Sequence, residues 1–281
     1  FPVYCDFLEL MTIYLSDKSC HSDVMAAADN PYVLAFKLYP AGATTYSASC
    51  VTILPELMPT VEAMYELKVP LLVHGEVTHA DVDVFDREAA FIDQVLSPLL
   101  EALPGLKVVF EHLTSRQGVE FVLDAGDNVA ATLTAHHLLL NRNAMFDKGI
   151  RPHHYCLPVL KREAHRQALV TAAISGNRKF FLGTDSAPHD RTSKESACGC
   201  AGIYSAPVAL ELYAQIFDDN DAMDKLEAFA SLNGPRFYGL KVNSEQITLK
   251  KEDWQVPSII KAGTEEIIPL CAGEILHWQH A

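Results

Sequence analysis

Six short apolar runs recur along the chain, and each ends near a polar residue and is followed by a longer segment with helical spacing. The runs are rich in β-branched or aromatic residues, as strands are. They cover residues 7–15, 32–40, 70–76, 106–113, 129–137 and 179–186. The amphipathic segments between them include 54–67, 86–103, 115–124 and 161–175. This alternation predicts a parallel sheet covered by helices.

Polar residues fall repeatedly at the carboxyl ends of these predicted strands, where Lys37, His74, His112 and Asp185 stand. A (β/α)8 barrel, the TIM fold, brings many strand ends to one face, whereas an open sheet uses one crevice and usually a glycine-rich phosphate turn. No such turn follows a strand here. We therefore predict an α/β TIM barrel. Six strands are found where closure needs eight, so we expect the first two βα units to be missing from this chain.

Two helical patterns follow the sixth run, at 206–217 and 225–230, and Asn233-Gly234-Pro235 is expected to break the second. The remaining residues are strand-like at 246–250, 266–270 and 274–278. We predict a barrel over residues 1–240 and a C-terminal extension, 241–281, packed on it.

The charge balance limits the partners. The chain carries 22 Lys+Arg against 36 Asp+Glu, a formal net charge of −14. Nucleic acids and anionic membrane surfaces require clustered positive charge, so neither is an expected partner. No apolar stretch is long enough for a membrane span. The 7 cysteines are scattered and odd in number, which favours a reducing compartment, the cytoplasm.

Two histidines and an aspartate are the strongest candidates for chemistry. Imidazole is the commonest side-chain ligand of transition metals, and His74, His112 and Asp185 all lie on the predicted catalytic face. Asp185 follows the apolar run Phe180-Phe181-Leu182, where a carboxylate needs a partner. The three residues together predict a metal site.

Lys37 has two interpretations. It stands in Ala35-Phe36-Lys37-Leu38-Tyr39, an apolar strand that disfavours its charge. In the first interpretation its ammonium group extends to solvent. In the second it reacts with carbon dioxide to form a carbamate, whose two oxygens bridge two cations about 3.5 to 4 Å apart.

Other histidines and cysteines are weaker candidates. His136-His137 and His153-His154 are adjacent pairs. Adjacent residues on a strand point to opposite faces, so we do not expect either pair to bind one metal. Cys198-x-Cys200 lacks the second pair that a structural metal site usually has.

Several segments together resemble one known family. They read FKLYPAGATT at 36–45, PLLVHGE at 70–76, FEHLT at 110–114, NRN at 141–143, YCLPVLKR at 155–162 and GTDSAPH at 183–189. In these segments the chain resembles the stand-alone dihydroorotases of bacteria and plants, which belong to the amidohydrolase superfamily. These enzymes reversibly cyclise N-carbamoyl-L-aspartate to L-dihydroorotate in pyrimidine biosynthesis. The resemblance continues after the last segment as far as Asn233-Gly234-Pro235.

The resemblance implies a role for each matching residue. Lys37 corresponds to an N6-carboxylated lysine bridging two zinc ions (Zn2+), and His74 and His112 to ligands of the more exposed ion. Asp185 corresponds to a ligand of the buried ion and to the general base. The implied substrate contacts are Thr44 and Thr45 on a closing loop, Leu157, His189 and Ala201.

The chain departs from the family in one respect: the His-x-His pair of the first strand, and the Arg and Asn that follow it, have no counterpart here. One alternative is therefore a non-catalytic relative that serves in binding or assembly. Another is an amidohydrolase acting on hydantoins or allantoin. By resemblance we also expect a homodimer, and a mitochondrion or plastid as the alternative compartment if the parent protein carries a transit peptide.

Overall fold

A computed structural model of the chain describes residues 9–43, 51 and 54–281. Six parallel strands form one sheet in sequence order, with the first and the last at its edges. They are β1 (Met11–Leu15), β2 (Val33–Leu38), β3 (Leu71–His74), β4 (Val108–Glu111), β5 (Val129–Leu133) and β6 (Phe180–Leu182). Each of the six predicted runs contains one of these strands, so the predicted parallel sheet is confirmed.

Helices follow the strands and pack on the sheet. They are α1 (His21–Ala28), α2 (Met58–Glu66), α3 (Arg87–Phe91), α4 (Ser97–Ala102), α5 (Arg116–Asp124), α6 (Ala135–Leu139), α7 (Glu163–Ile174), α8 (Arg191–Lys194), α9 (Ala209–Asp218), α10 (Met223–Glu227) and α11 (Asn233–Tyr238). A π-helical segment, Ile92–Leu96, joins α3 to α4, and another, Ala228–Leu232, joins α10 to α11. The four predicted amphipathic segments between strands are all helical.

The predicted break at Asn233-Gly234-Pro235 is wrong. The helix continues through these residues as α11 and ends at Gly239, whose φ of 73° is left-handed. Pro235 has no backbone N–H to donate, and it lies three residues after the π-helical segment Ala228–Leu232, where the regular α-helical hydrogen-bond pattern is already interrupted.

Alternating side chains divide each strand between two environments. Phe36, Val73 and Phe110 belong to the large core between sheet and helices. Their neighbours Ala35, Leu72 and Val109 form a small separate cluster with Ala130 and Phe181 on the opposite face. Because strand side chains alternate with period two, the next residues on this second face are Lys37, His74 and Glu111. The sheet therefore gathers three polar side chains beyond an apolar layer, at its carboxyl edge.

Four short strands complete the chain: β7 (Leu249–Gln255), β8 (Ile260–Ala262), β9 (Glu265–Ile267) and β10 (Ile275–His280). β7 pairs with β10 and β8 with β9, both antiparallel. β10 lies against α9, and the Leu270 amide donates to the Tyr204 carbonyl at 2.8 Å. The domain boundary after residue 240 stays a prediction. Within the described part of the chain, no helix is both long and apolar enough to cross a membrane.

Candidate metal centre and its pocket

A pocket of about 180 Å³ opens at the carboxyl edge of the sheet. Six of the residues singled out in the sequence meet in it: His74, His112, Leu157, Asp185, His189 and Ala201. Tyr14, Tyr39, Ala187 and Gly202 complete its lining. Residues that stand far apart in the sequence therefore share one small space.

The two histidines are adjacent and buried. His74 is the last residue of β3, and its ring centroid lies 4.8 Å from that of His112. His112 follows β4 directly, and its φ of 43° is left-handed, which is uncommon for a residue other than glycine. Its backbone amide donates to Thr132 Oγ1 at 2.8 Å, which holds this conformation. Backbone strain of this kind concentrates at functional sites.

A buried carboxylate orients His74. Glu76 is fully buried, and its Oε2 lies 2.9 Å from His74 Nε2. The contact occupies one ring nitrogen and leaves Nδ1 for a cation, an arrangement common around metal-binding histidines. His112 Nδ1 is also buried and has no hydrogen-bond partner among the described residues. Sequence analysis missed Glu76, although it ends the third predicted strand.

Lys37 is buried, with 5% of its surface exposed, so the interpretation in which it extends to solvent is wrong. Its Nζ forms an ion pair with Glu111 Oε2 and lies 4.7 Å from the centroid of the Tyr39 ring. Lys37 and Asp185 are close enough to affect each other electrostatically. The structure thus places the lysine beside the histidines and the aspartate, with a carboxylate partner that sequence analysis did not identify.

Asp185 lies beyond the end of β6 and also has a left-handed backbone, with φ of 42°. Burial raises the pKa of its carboxyl group above the ordinary value, and Glu111 adds to this rise, while Lys37 and His74 oppose it. Burial also lowers the pKa of His112 well below its usual range. The histidine is therefore neutral near pH 7, which is the form that binds metals.

A second buried carboxylate, Glu88 on α3, fastens the loop after His112. It accepts hydrogen bonds from the backbone amides of Thr114 and Ser115, at 2.9 and 2.7 Å, and from both of their hydroxyl groups. Ser115 Oγ in turn accepts from the Gly118 amide and caps α5. Glu88 therefore connects the strand end that carries His112 to the helix that follows.

We expect Glu88→Ala to destabilise the fold by about 3 kcal/mol or more, because it leaves several buried donors without an acceptor. Urea unfolding measures this cost. Glu120→Ala is the control, since Glu120 is 63% exposed and 4.0 Å from Arg116, a contact worth at most about 1 kcal/mol. Equal losses for the two variants would contradict the role given to Glu88.

One lysine holds the opposite wall of the pocket. Lys194 is buried, and its Nζ donates to the carbonyls of Tyr155, Cys200 and Gly202, at 2.9, 2.7 and 2.8 Å. The Gly202 amide donates back to the Tyr155 carbonyl at 3.0 Å. A Cβ atom at Gly202 would lie 2.7 Å from the Ala187 carbonyl oxygen, so this approach requires glycine. Together these contacts fix the segments that carry Leu157 and Ala201.

The adjacent histidines His136 and His137 lie in a helix rather than in the predicted strand. β5 ends at Leu133, and His136 and His137 belong to α6, which Thr134 caps by accepting from the His137 amide. The argument that the pair cannot serve one metal, because strand residues alternate, is therefore wrong. The ring centroids of the two residues are 4.5 Å apart.

The other sequence candidates lie in varied places. Thr44 and Thr45 lie outside the described residues. His189 Nε2 is 3.1 Å from the Ala201 carbonyl oxygen, within the pocket wall. Asn141 caps a short 3-10 helix, Arg142–Met145. Cys198 and Cys200 are free, with their sulfurs 3.8 Å apart.

Comparison with known proteins gives consistent results. The family model described as "Amidohydrolase family" matches residues 21–253. A dihydroorotase of Laribacter hongkongensis is 59% identical over 275 residues, which cover 98% of this chain and 80% of that protein. The mitochondrial dihydroorotase of Arabidopsis thaliana is 56% identical over 280 residues, 99% of this chain and 74% of that protein. The crystal structure of Saccharomyces cerevisiae dihydroorotase with 5-fluoroorotic acid has a TM-score of 0.89 at 36% identity, covering 97% of this chain and 80% of that one.

Proposed function

Since the chain belongs to the amidohydrolase family, and within it to the dihydroorotases, we propose that Lys37, His74, His112 and Asp185 form the metal centre of its reaction. The chain is a metal-dependent cyclic amidohydrolase that interconverts N-carbamoyl-L-aspartate and L-dihydroorotate in pyrimidine biosynthesis. The observation that carries the site assignment is that His74, His112 and Asp185 line the same pocket as Leu157, His189 and Ala201.

The donor set fits a divalent transition metal. Two neutral imidazoles and a carboxylate are ligands that zinc accepts, and Glu76 holds His74 so that Nδ1 remains available. Bound zinc supplies Lewis-acid chemistry, because it polarises a carbonyl group and lowers the pKa of water. We propose two zinc ions bridged by N6-carboxylated Lys37. The chain then supplies Lys37, His74 and His112 to one ion, but only Lys37 and Asp185 to the other.

Carboxylation of Lys37 requires its amine to exchange partners. The unmodified ammonium group is paired with Glu111. A carbamate is negatively charged, so at this short distance it would be repelled by the Glu111 carboxylate. The modified side chain would therefore leave Glu111 and be available as a cation ligand, whereas Glu111 would pair with the unmodified lysine.

Asp185 is the proposed general base. In ring opening it takes a proton from the attacking water and returns that proton to the ring nitrogen as the amide bond breaks. In ring closure the same carboxyl group runs these transfers in reverse. The position of Asp185 in the pocket lining supports this role, because a general base must lie within reach of the bound substrate.

Residues on the far wall are proposed to bind the substrate. His189 and Ala201 contact its carboxylate, Leu157 contacts the ring through its backbone, and Thr44 and Thr45 are further substrate contacts. The net charge of −14 repels an anionic substrate, so cations in the pocket must supply the local attraction. We further propose a homodimer working in the cytoplasm, with the mitochondrion or plastid as the alternative if the parent protein carries a transit peptide.

The wall held by Lys194 gives a specific prediction. We expect Lys194→Met to raise KM for dihydroorotate by about tenfold, roughly 1.4 kcal/mol, with a smaller change in kcat, because it releases the carbonyls beside Leu157 and Ala201. Steady-state kinetics measures both constants. Lys250→Met is the control, since Lys250 is 48% exposed and pairs with Glu252 on the surface. An unchanged KM in Lys194→Met would contradict the assignment of this wall to substrate binding.

A ring-opening assay tests the proposed function. The zinc-loaded protein is mixed with L-dihydroorotate, and N-carbamoyl-L-aspartate is separated and quantified, with hydantoin as a parallel substrate. We expect turnover of dihydroorotate that is lost on chelation and restored by zinc, and little turnover of hydantoin. Cation binding without turnover of either substrate would instead support a non-catalytic relative.

A further inference from the structure

A second group of potential ligands lies outside the four residues of the proposed metal centre. It consists of His136 and His137 on α6 and Cys156, whose ligand atoms all lie within 4.8 Å of one another. All three residues are buried, with 0%, 2% and 1% of their surfaces exposed. Two imidazoles and a thiol in one buried space form the donor set of a soft metal site.

His136 is the member that points most directly to a ligand. Within the described part of the chain, neither of its ring nitrogens has a hydrogen-bond partner, although both are inaccessible to solvent. A buried polar group without a hydrogen-bond partner destabilises the folded state. A cation bonded to one of these nitrogens would remove that destabilisation.

The other two members, His137 and Cys156, are held with their ligand atoms close together. His137 Nδ1 is 2.7 Å from Thr134 Oγ1, the kind of outer hydrogen bond that fixes the tautomer of a metal-binding histidine. Cys156 Sγ is 3.8 Å from His137 Nε2. In a tetrahedral zinc site, bonds of about 2.0–2.1 Å to nitrogen and 2.3 Å to sulfur place the two ligand atoms about 3.5 Å apart. The distance between Cys156 Sγ and His137 Nε2 therefore needs to shorten only slightly.

A fourth donor is also present. The Pro158 carbonyl oxygen lies 3.0 Å from His137 Nε2 and 3.3 Å from Cys156 Sγ. In the metal-free protein it accepts a hydrogen bond from each group. When a cation binds, the Cys156 thiol releases its proton to solvent and a sulfur–metal bond forms. His137 changes tautomer through exchange with solvent, so that Nδ1 carries the proton and donates it to Thr134 Oγ1 while Nε2 binds the cation. The Pro158 carbonyl oxygen then has neither hydrogen bond and is free to complete the coordination.

We propose that His136, His137 and Cys156 form a binding site for a thiophilic divalent cation, zinc being the expected occupant, separate from the pocket metal centre. The site connects the start of α6 to the segment that carries Leu157, which follows Cys156 directly and lines the pocket. Its occupancy fixes that wall. The role is structural, and no reacting group is involved.

Cobalt substitution tests the site independently of turnover. The residues of the pocket metal centre contain no sulfur, so Co2+ bound there gives no thiolate charge-transfer band. We expect the cobalt-loaded full chain to show such a band in the near ultraviolet, and Cys156→Ser to abolish it and to bind one ion fewer per chain. His136→Gln should weaken the band. Cys198→Ser is the matched control and should keep it, because Cys198 is exposed and outside the group.

Two results would overturn the proposal. One is the absence of a thiolate band from the wild-type chain at saturating Co2+. This measurement needs no variant, so it is valid even if a substituted chain fails to fold. The other is a band that survives Cys156→Ser but disappears in Cys198→Ser. Since the readout is a spectrum, failure here leaves the ring-opening assay unaffected, and the two proposals fail separately.

Discussion

Replacing Lys37 by alanine is expected to lower kcat/KM for dihydroorotate by about a thousandfold or more, because loss of Lewis-acid stabilisation costs several kcal/mol. The zinc content of the variant should fall with its activity, since the carbamate is the donor common to both proposed ions. Metal analysis and steady-state kinetics on the same preparation measure the two losses together.

Lys37→Arg is the matched variant for this prediction. Arginine keeps the positive charge and the ion pair with Glu111, but its guanidinium group remains charged at any ordinary pH and forms no carbamate. We expect it to lose zinc and activity as alanine does. If Lys37→Arg keeps both, the lysine acts through its charge, and the carbamate proposal is wrong.

Asp185→Asn is expected to leave most of the zinc bound while kcat falls by roughly 10²–10⁴-fold, the usual contribution of a general base. The amide retains an oxygen of similar size but does not accept a proton. The loss should lie mainly in kcat, because the proton transfer occurs in the transition state.

A surface aspartate provides the control. Asp127 is 73% exposed and pairs with Arg178, so Asp127→Asn should change neither metal content nor rate. If Asp185→Asn matches that control in kcat, Asp185 is not the base. If it loses zinc completely, its main role is that of a ligand.

The sheet and its polar edge were predictable because they depend on local patterns. Ala35 and Lys37, and Leu72 and His74, are spaced by two, so each polar residue shares a face with an apolar residue of the same strand. That periodicity requires no knowledge of the partner strand. The convergence of Lys37, His74 and His112 at one edge follows once the strands are parallel.

The carboxylates around the site were not predictable in the same way. Glu76, Glu88 and Glu111 are three among 36 acidic residues. Glu111 meets Lys37 across 74 positions of sequence, and Glu88 meets Thr114 across 26. Glu111 shares the period-two face of Val109 and Glu76 ends a predicted strand, but the partner that each carboxylate meets depends on how distant segments pack.

The error at His136 and His137 had a local signal. The predicted strand extends to residue 137, yet Thr134 is a favoured capping residue, and the observed strand ends before it because α6 begins there. A helix changes the directions of adjacent side chains, and it allows both imidazoles to approach Cys156. One unrecognised cap therefore concealed a possible metal site.

His74 and His112 are proposed to hold a cation together with Lys37 and Asp185. The most direct test is an anomalous difference map, collected at the zinc absorption edge, from crystals of the zinc-loaded chain. We expect a peak about 2.0–2.1 Å from one nitrogen of each histidine, with His74 using Nδ1. Fully active, zinc-loaded protein with no peak between these two histidines would contradict this proposal.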